Sequence, residues 1–332
     1  MSTNRREFLA MTAGLGMSAV LGGFSLPLRA ATPLEELMIY GPPAAPSLVL
    51  AHLAERGELQ GMVKEVGFQV YRNPDQLRTG FVSGRWKVAG TPSYVAANMY
   101  NRGIPVRLLN IMTWGLLYLM SRNEQVQKIE DLRGQTVAMF FKNDMPDLVF
   151  QALVSHAGMT IGKDIKLQYV TTPLEGVQLL LSGRVDHAVL PEPAATASLL
   201  KGLKSTQKIH RTLNLQDAWG VMTGGDKRIP QAGMMIAADL VERQPGIVAA
   251  LNNAFAQSAD WVNNNPSSAG RLGEAYMKVK APVIEKSVPQ SNIQPVTGIK
   301  AKPALEKFFS QLAEINPGII GGKLPAAEFY LG

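Results

Sequence analysis

Along the chain, short unbroken apolar runs alternate with longer stretches in which apolar positions recur every three or four residues. Leu37–Tyr40 and Thr136–Phe141 are runs of the first kind, the pattern of a parallel strand buried on both faces. Each passes through a Pro-bearing loop into an amphipathic helix that stops at Gly57 or Gly158, where a helix end calls for positive φ. A second strand follows (FQVY at 68–71, LQYV at 167–170), then a turn with Pro74 or Pro173 and a short helix ending at Gly84 or Gly183. A third strand (KVAG at 87–90, HAVL at 187–190) leads into another helix that again closes on Gly (TPSYVAANMYNRG, PEPAATASLLKG).

The same unit is therefore used twice. At an offset of 99, Gln69 matches Gln168, Pro74 matches Pro173, Gly84 matches Gly183 and Arg85 matches Arg184. Strands separated by helices in this order predict a doubly wound, mostly parallel α/β sheet. Two units predict two such lobes. In open parallel sheets ligands sit at the carboxyl ends of the strands, where loops become helix N-termini. Two facing sets of such loops predict one cleft, lined by free N–H groups that suit an anion or a polar ligand.

Composition narrows the chemistry. The 332 residues are 46% hydrophobic and 18% charged, an ordinary globular balance long enough for two lobes. The net charge of +7 comes without any dense Lys/Arg run, which weighs against nucleic acid as a partner. There is no cysteine, which excludes disulfides, thiolate metal sites and Cys nucleophiles. His52, His156, His187 and His210 show no paired ligand spacing, so no metal is expected, and His187 reads as a satisfied strand residue. The 15 Met residues read as packing. No cofactor is expected.

The N-terminus has the three-part layout of an export signal: a polar start with Arg5 and Arg6, an apolar run from Phe8 to about Leu28, and small residues at Ala30 and Ala31. NRREFLA resembles a twin-arginine signal, with Ala10 where that pattern often has Lys. The expectation is a signal peptide over 1–30, export by the twin-arginine machinery, and a periplasmic protein after cleavage. An uncleaved membrane anchor is the alternative, since the run is just long enough to span.

IEDLRGQTVAMF, ALVSHAGM, LLSGRVDHAVLPEPAATASLLKG and VAGTPSYVAANMYNRGIPVRLL, in this order, resemble the periplasmic solute-binding proteins of the nitrate/sulfonate/bicarbonate (taurine-like) ABC importers, over about Leu37 to Trp261. The resemblance implies a two-lobed type II periplasmic-binding-protein fold: a discontinuous first lobe over 32–118 and 232–332, and a second over 119–231. It also implies a monomer that captures a small-molecule solute and docks on an inner-membrane ABC permease. Where the family commonly places an acidic residue after SG, the first unit has Trp86 and Lys87, while the second keeps Asp186. The related thiamine-pyrimidine precursor synthases share the fold but resemble a Cys-rich signature that is missing here.

The strand-end rule selects candidate ligand contacts, each with a plainer alternative. Tyr40, Gly41 and Pro42 follow the first strand, Gly41 permitting close approach of backbone to ligand; the alternative is a loop that only redirects the chain. Thr91 reads as the N-cap of a helix with Pro92 at its first position, leaving Ser93 to meet oxyanion oxygens. Phe141, Lys142, Asn143 and Asp144 occupy the equivalent loop of the second lobe, and Lys142 is the cation expected to meet an anionic ligand, or else a solvated surface charge. Glu192 is expected to contact ligand, cap the following helix or bridge the lobes. Trp114 and Trp219 are expected to stack on ligand or to fill a core.

The sequence offers no G-x-S-x-G elbow, dinucleotide fingerprint, P-loop or His/carboxylate cluster, so a binding protein is expected in place of an enzyme. A ligand-presenting sensory module is one alternative, and a thiamine-pyrimidine-precursor-binding protein or enzyme on the same fold is the other. An organic anion such as a sulfonate is the expected solute, and the several aromatics near strand ends weigh against one as small as nitrate.

Overall fold

The unbroken apolar runs become inner strands of two separate sheets. The computed structural model describes residues 32–57, 59, 61–71, 74–203 and 208–332; the leader, with Arg5 and Arg6, lies outside them. In the first sheet β1 (Leu34–Gly41) pairs in parallel with β2 (Val63–Val70) and β3 (Val88–Pro92). Three further strands, β10 (Ala232–Ala237), β4 (Val106–Thr113) and β11 (Ile293–Thr297), complete the order β11-β4-β10-β3-β1-β2, with β10 antiparallel to both neighbours. The second sheet runs β7-β6-β8-β5-β9, built from β7 (Lys166–Val170), β6 (Thr136–Phe140), β8 (His187–Pro191), β5 (Leu117–Ser121) and β9 (His210–Asn214). There β6 is parallel to β7 and β8, and β5 is antiparallel to its neighbours. Both faces of these strands are covered, which is why they read as runs and not as alternation.

The repeat is carried into three dimensions. Helix α2 (Pro74–Val82) and strand β3 recur as α5 (Pro173–Leu181) and β8, each shifted by the same 99 residues. Gly84 (φ 71°) and Gly183 (φ 70°) hold the same left-handed turn between them, a conformation a Cβ disfavours. Helices α1 (Pro46–Arg56) and α4 (Met145–His156) pack beside the first strand of each unit, and α3 (Ser93–Asn101) and α6 (Ala194–Gly202) follow the third.

The departure at Trp86-Lys87 is compensated within the sheet. In the second lobe Asp186, beside β8, pairs with Arg122 just past the end of β5 at 3.0 Å. In the first lobe Lys87, at the matching position beside β3, pairs with Asp239 just past the end of β10 at 2.7 Å. The backbone bonds match as well, Arg122 N–H donating to Asp186 O and Ala237 N–H to Lys87 O. The ion pair is kept and its polarity reversed. Trp86 packs its ring on Tyr40, with centroids 3.8 Å apart and planes 5° apart. Gly80 makes room for that ring, since a Cβ there would lie 2.2 Å from it.

The chain crosses between sheets at 114–116, because Leu117 and Tyr118 already pair with β8. It returns after α7 (Leu215–Thr223) into β10. The remaining chain adds α8 (Ala238–Arg243), α9 (Ile247–Asn264), α10 (Pro266–Met277), α11 (Ala281–Ser287) and, after β11, α12 (Gly298–Ile315). One apolar core runs from Tyr94 and Val95 of α3 through Leu148 and Phe150 of α4 to Phe308 and Phe309 of α12, so the two lobes share buried surface.

Candidate functional site

The carboxyl ends of β1, β3, β6 and β8 carry most of the predicted residues. Their surroundings differ from expectation. Tyr40 is half-buried under Trp86. Gly41 is buried, and a Cβ on it would lie 2.5 Å from Ser47 Oγ and 2.7 Å from Leu50; its smallness serves the packing of α1, not the approach of a ligand. The Ser47 hydroxyl donates to the carbonyl of Pro42.

Thr91 does not cap α3. It stays in β3 opposite Gly233 of β10, so the helix begins one residue later than expected, at Ser93, with Pro92 in the capping position. Sheet pairing with the returning strand has outweighed the local capping signal. Ser93 is fully buried and spent on that same segment: its hydroxyl donates to Pro230 O at 2.5 Å and its N–H to Gln231 O at 3.0 Å. It has no proton left for an oxyanion.

The next residue lies near the second lobe. Tyr94 is buried, and Asp144, which follows β6 of the second sheet, is near enough to act on its hydroxyl. Burial, then the charge of Asp144, holds this phenol far above its ordinary range, so it stays protonated. Arg78 of α2 and Tyr71 are near enough to act on it too. Arg78 is also paired with Asp75 at 3.2 Å, and the Tyr71 hydroxyl donates to Gly90 O at 3.0 Å. Tyr94 and Arg78 escaped the sequence reading; both lie inside helices, where only their partners mark them.

In the second lobe Asp144 is the N-cap of α4, accepting from Met145 N–H at 2.7 Å. Asp147, fully buried, accepts from Asn143 N–H at 2.8 Å and from the Tyr169 hydroxyl at 3.1 Å. These two carboxylates shape the loop, and Phe141 (φ 56°) and Asn143 (φ 60°) are held left-handed between them. The Phe141 ring is 44% exposed. Lys142 is exposed with its ammonium 5.1 Å from the centre of the Tyr169 ring in its own lobe.

Glu192 is buried within the second lobe. It accepts from Thr196 N–H at 3.2 Å, so it caps α6, and it ion-pairs with Arg211, whose guanidinium lies 4.5 Å from the centre of the Tyr118 ring. Of the three roles considered, the cap is the one the contacts describe; burial raises its carboxyl pKa and Arg211 opposes that rise. Trp219 is core, edge-on to Phe308 at 5.7 Å. His187 is buried in β8 with Nδ1 3.0 Å from the Ser121 hydroxyl.

The crossings are held by residues that the sequence did not single out. Gln231 accepts from Leu116 N–H at 3.0 Å and Gln216 from Leu117 N–H at 3.2 Å. Gly115 (φ 95°) lies against Gln216, where a Cβ would approach to 2.4 Å. Trp114 belongs to this hinge. Its indole N–H donates to Gln294 O at 2.8 Å, and its ring lines a cavity of about 570 Å³ with Asn214, Gln216, Arg228 and Asn292. The lining includes Asn214 at the end of β9 and Ile293 at the start of β11, an edge strand in each sheet. Among the described residues no group of His, Asp and Glu has the geometry of a metal site.

Comparison with known proteins follows the same lines. The family model described as NMT1/THI5 like matches residues 82–269. No curated protein matches the sequence. Among solved structures, an ABC transporter protein from Parabacteroides distasonis superposes with a TM-score of 0.75 at 22% identity, over 91% of this chain and 99% of its own. The periplasmic aliphatic sulphonate binding protein SsuA of Escherichia coli gives 0.67 at 16%, over 88% and 92%. The periplasmic nitrate-binding protein NrtA of Synechocystis PCC 6803 gives 0.60 at 17%, over 78% and 71%. The two-lobed fold expected from the sequence is the fold these proteins share.

Proposed function

The chain belongs to the NMT1/THI5-like family, and from that premise we propose that it is the extracytoplasmic solute-binding component of an ABC importer. It closes two lobes on a small organic solute and offers the closed form to a membrane permease. The observation that carries this reading is the pair of sheets built from one repeated unit and joined by a shared apolar core, the architecture of a two-lobed binder. The neighbours named as sulphonate-binding and nitrate-binding proteins support a binder over an enzyme.

The cation expected to meet an anionic solute is Lys142, whose ammonium lies 5.1 Å from the centre of the Tyr169 ring. The test of the general role is whether the purified protein carries or takes up a small molecule. At about 100 times its dissociation constant a solute stabilises by roughly 2.7 kcal/mol, so a melting shift of a few degrees should accompany lobe closure in small-angle scattering. A protein without co-purified solute, inert to every class of small molecule tried and unable to stimulate its permease, would point instead to an adaptor or sensor.

Export through the twin-arginine route belongs to the same reading. Replacing Arg5 and Arg6 by Lys should leave the precursor in the cytoplasm on fractionation; undiminished periplasmic recovery would exclude that route.

A further inference from the structure

We propose that the cavity beside Trp114 is a second binding site, that it takes an uncharged polyhydroxylated molecule such as a sugar or polyol, and that its occupant is coupled to hinge motion. This goes beyond the solute-binding reading, because the cavity belongs to other strands than those whose ends carry most of the predicted ligand residues. In the first sheet β4 and β10 stand between β11 and β3, and in the second β5 stands between β9 and β8.

The walls come from both lobes. One is the start of α7, with Asn214 and Gln216; the other is the segment 292–294 with the end of α9, and Trp114 of the crossing completes the lining. The crossing is fastened to the first-lobe wall, since Trp114 N–H donates to Asn292 O at 3.2 Å and its indole N–H to Gln294 O at 2.8 Å. Asn292 Nδ2 donates to Gly115 O at 2.8 Å, and Asn263 Nδ2 to Ile293 O at 2.9 Å. On the second-lobe wall Gln216 Nε2 donates to Asn214 Oδ1 at 2.6 Å, while its Oε1 accepts from Leu117 N–H. Side chains fixed in this way lose little freedom when a ligand arrives. A molecule that bridges two walls belonging to different lobes favours one arrangement of those lobes, and the coupling is reciprocal.

The lining selects the class of ligand. Only Trp114 and Ile293 are apolar, and five of the lining side chains are carboxamides. A carboxamide both donates and accepts, as a hydroxyl does. With the bonds above made, Asn263 Oδ1 can still accept and Asn214 Nδ2 can still donate. Among the described residues the exposed Gln294 amide has no side-chain partner. The charges cancel: Lys227 pairs with Asp217 at 2.8 Å, and Arg228 holds both oxygens of Asp226 at 2.9 and 3.0 Å. An ion gains a partner here only by breaking one of these pairs. A flat aromatic molecule finds no open ring to stack on, since Trp114 is 5% exposed and the Arg228 guanidinium lies 5.2 Å from its ring centre. The volume of about 570 Å³ falls within the roughly 300–1,000 Å³ of small-molecule sites.

The experiment is calorimetric titration of the purified protein with glucose, trehalose and myo-inositol, beside the charged polyols gluconate and N-methylglucamine, repeated on Gln294→Ala. Amide hydrogen exchange over 114–117 is then followed with and without the tightest ligand. Gln294 is exposed, so the variant keeps the fold. The expected result is that a neutral polyol binds more tightly than either charged one, and that its affinity falls roughly fivefold in Gln294→Ala, the scale of one lost hydrogen bond. Exchange at the crossing should slow when it is bound. No binding by any neutral polyol, tighter binding of a charged one, or unchanged exchange overturns the proposal. A sugar that binds Gln294→Ala as well as wild type is a solute of the strand-end cleft, which overturns the hinge site and supports the solute-binding reading. That reading fails separately, on the absence of any co-purified or added solute in its own test.

Discussion

Glu192 shows how one side chain can satisfy three sequence-level descriptions and obey only one in the fold. Its carboxylate is buried, with one oxygen on Thr196 N–H and the other on Arg211. Removing one member of a buried pair leaves the other charged and unpaired, which costs about 3–5 kcal/mol. Glu192→Ala should therefore lower the urea midpoint sharply, while affinity measured on the surviving folded fraction stays near wild type. Glu192→Gln, which keeps the helix bond, should lose less. A variant that unfolds normally but no longer binds solute would return Glu192 to the ligand. The neighbouring cases explain why position was legible and role was not. Thr91, Ser93 and Asp144 were placed correctly at strand ends by the periodicity. Yet the partners of Ser93, Pro230 and Gln231, arrive only when the chain returns from the second lobe. Asp144 comes near enough to act on Tyr94 only through the docking of two lobes, which no local pattern encodes.

At the scale of elements, nearly everything repeated was legible. The period, the glycine stops and the Pro-initiated short helices predicted α2 with β3 and α5 with β8 at the same shift. The Lys87 departure was visible too, but its meaning was not, because Asp239 belongs to the segment that follows β10, far along the chain. Lys87 and Asp239 are partly exposed, so the pair is worth about 0–1 kcal/mol, and Arg243 also engages Asp239. Charge reversal at one end places like charges together. Lys87→Asp should cost more stability than Lys87→Ala, and Lys87→Asp with Asp239→Arg should recover most of the difference, rebuilding in the first lobe the polarity that Asp186 and Arg122 have in the second. Equal midpoints for the single and double reversals would show that the two positions do not sense each other.

At the scale of the molecule the two lobes are joined by more than their crossings. Phe308 of α12 meets Trp219, Lys307 donates to Thr223 O at 2.9 Å, and the Tyr118 hydroxyl donates to Gln290 O at 2.7 Å. Burial moves several groups of the chain from their ordinary ranges, and the signs set a stability window. Burial raises the phenols of Tyr71, Tyr94 and Tyr330, and with the charge of Glu192 raises Tyr118 to about 12. A raised phenol is more readily kept neutral in the fold than in the unfolded chain. Its contribution is whole below the unfolded value of about 10 and is lost as pH climbs from there toward the folded value. Burial also lowers His52 and His187, so theirs is whole above about 6.5 and is lost as pH falls below it. Stability should be flat between these limits and fall steeply above pH of about 10, by up to ~1.4 kcal/mol per pH unit for each phenol still neutral in the fold. Tyr94→Phe removes one of these groups together with its interaction with Asp144. Its urea midpoint should therefore be lower than wild type at neutral pH and converge toward it in alkali, because wild type loses there what the variant never had. Parallel pH profiles for the two proteins would mean that Tyr94 ionises freely and that Asp144 does not act on its hydroxyl.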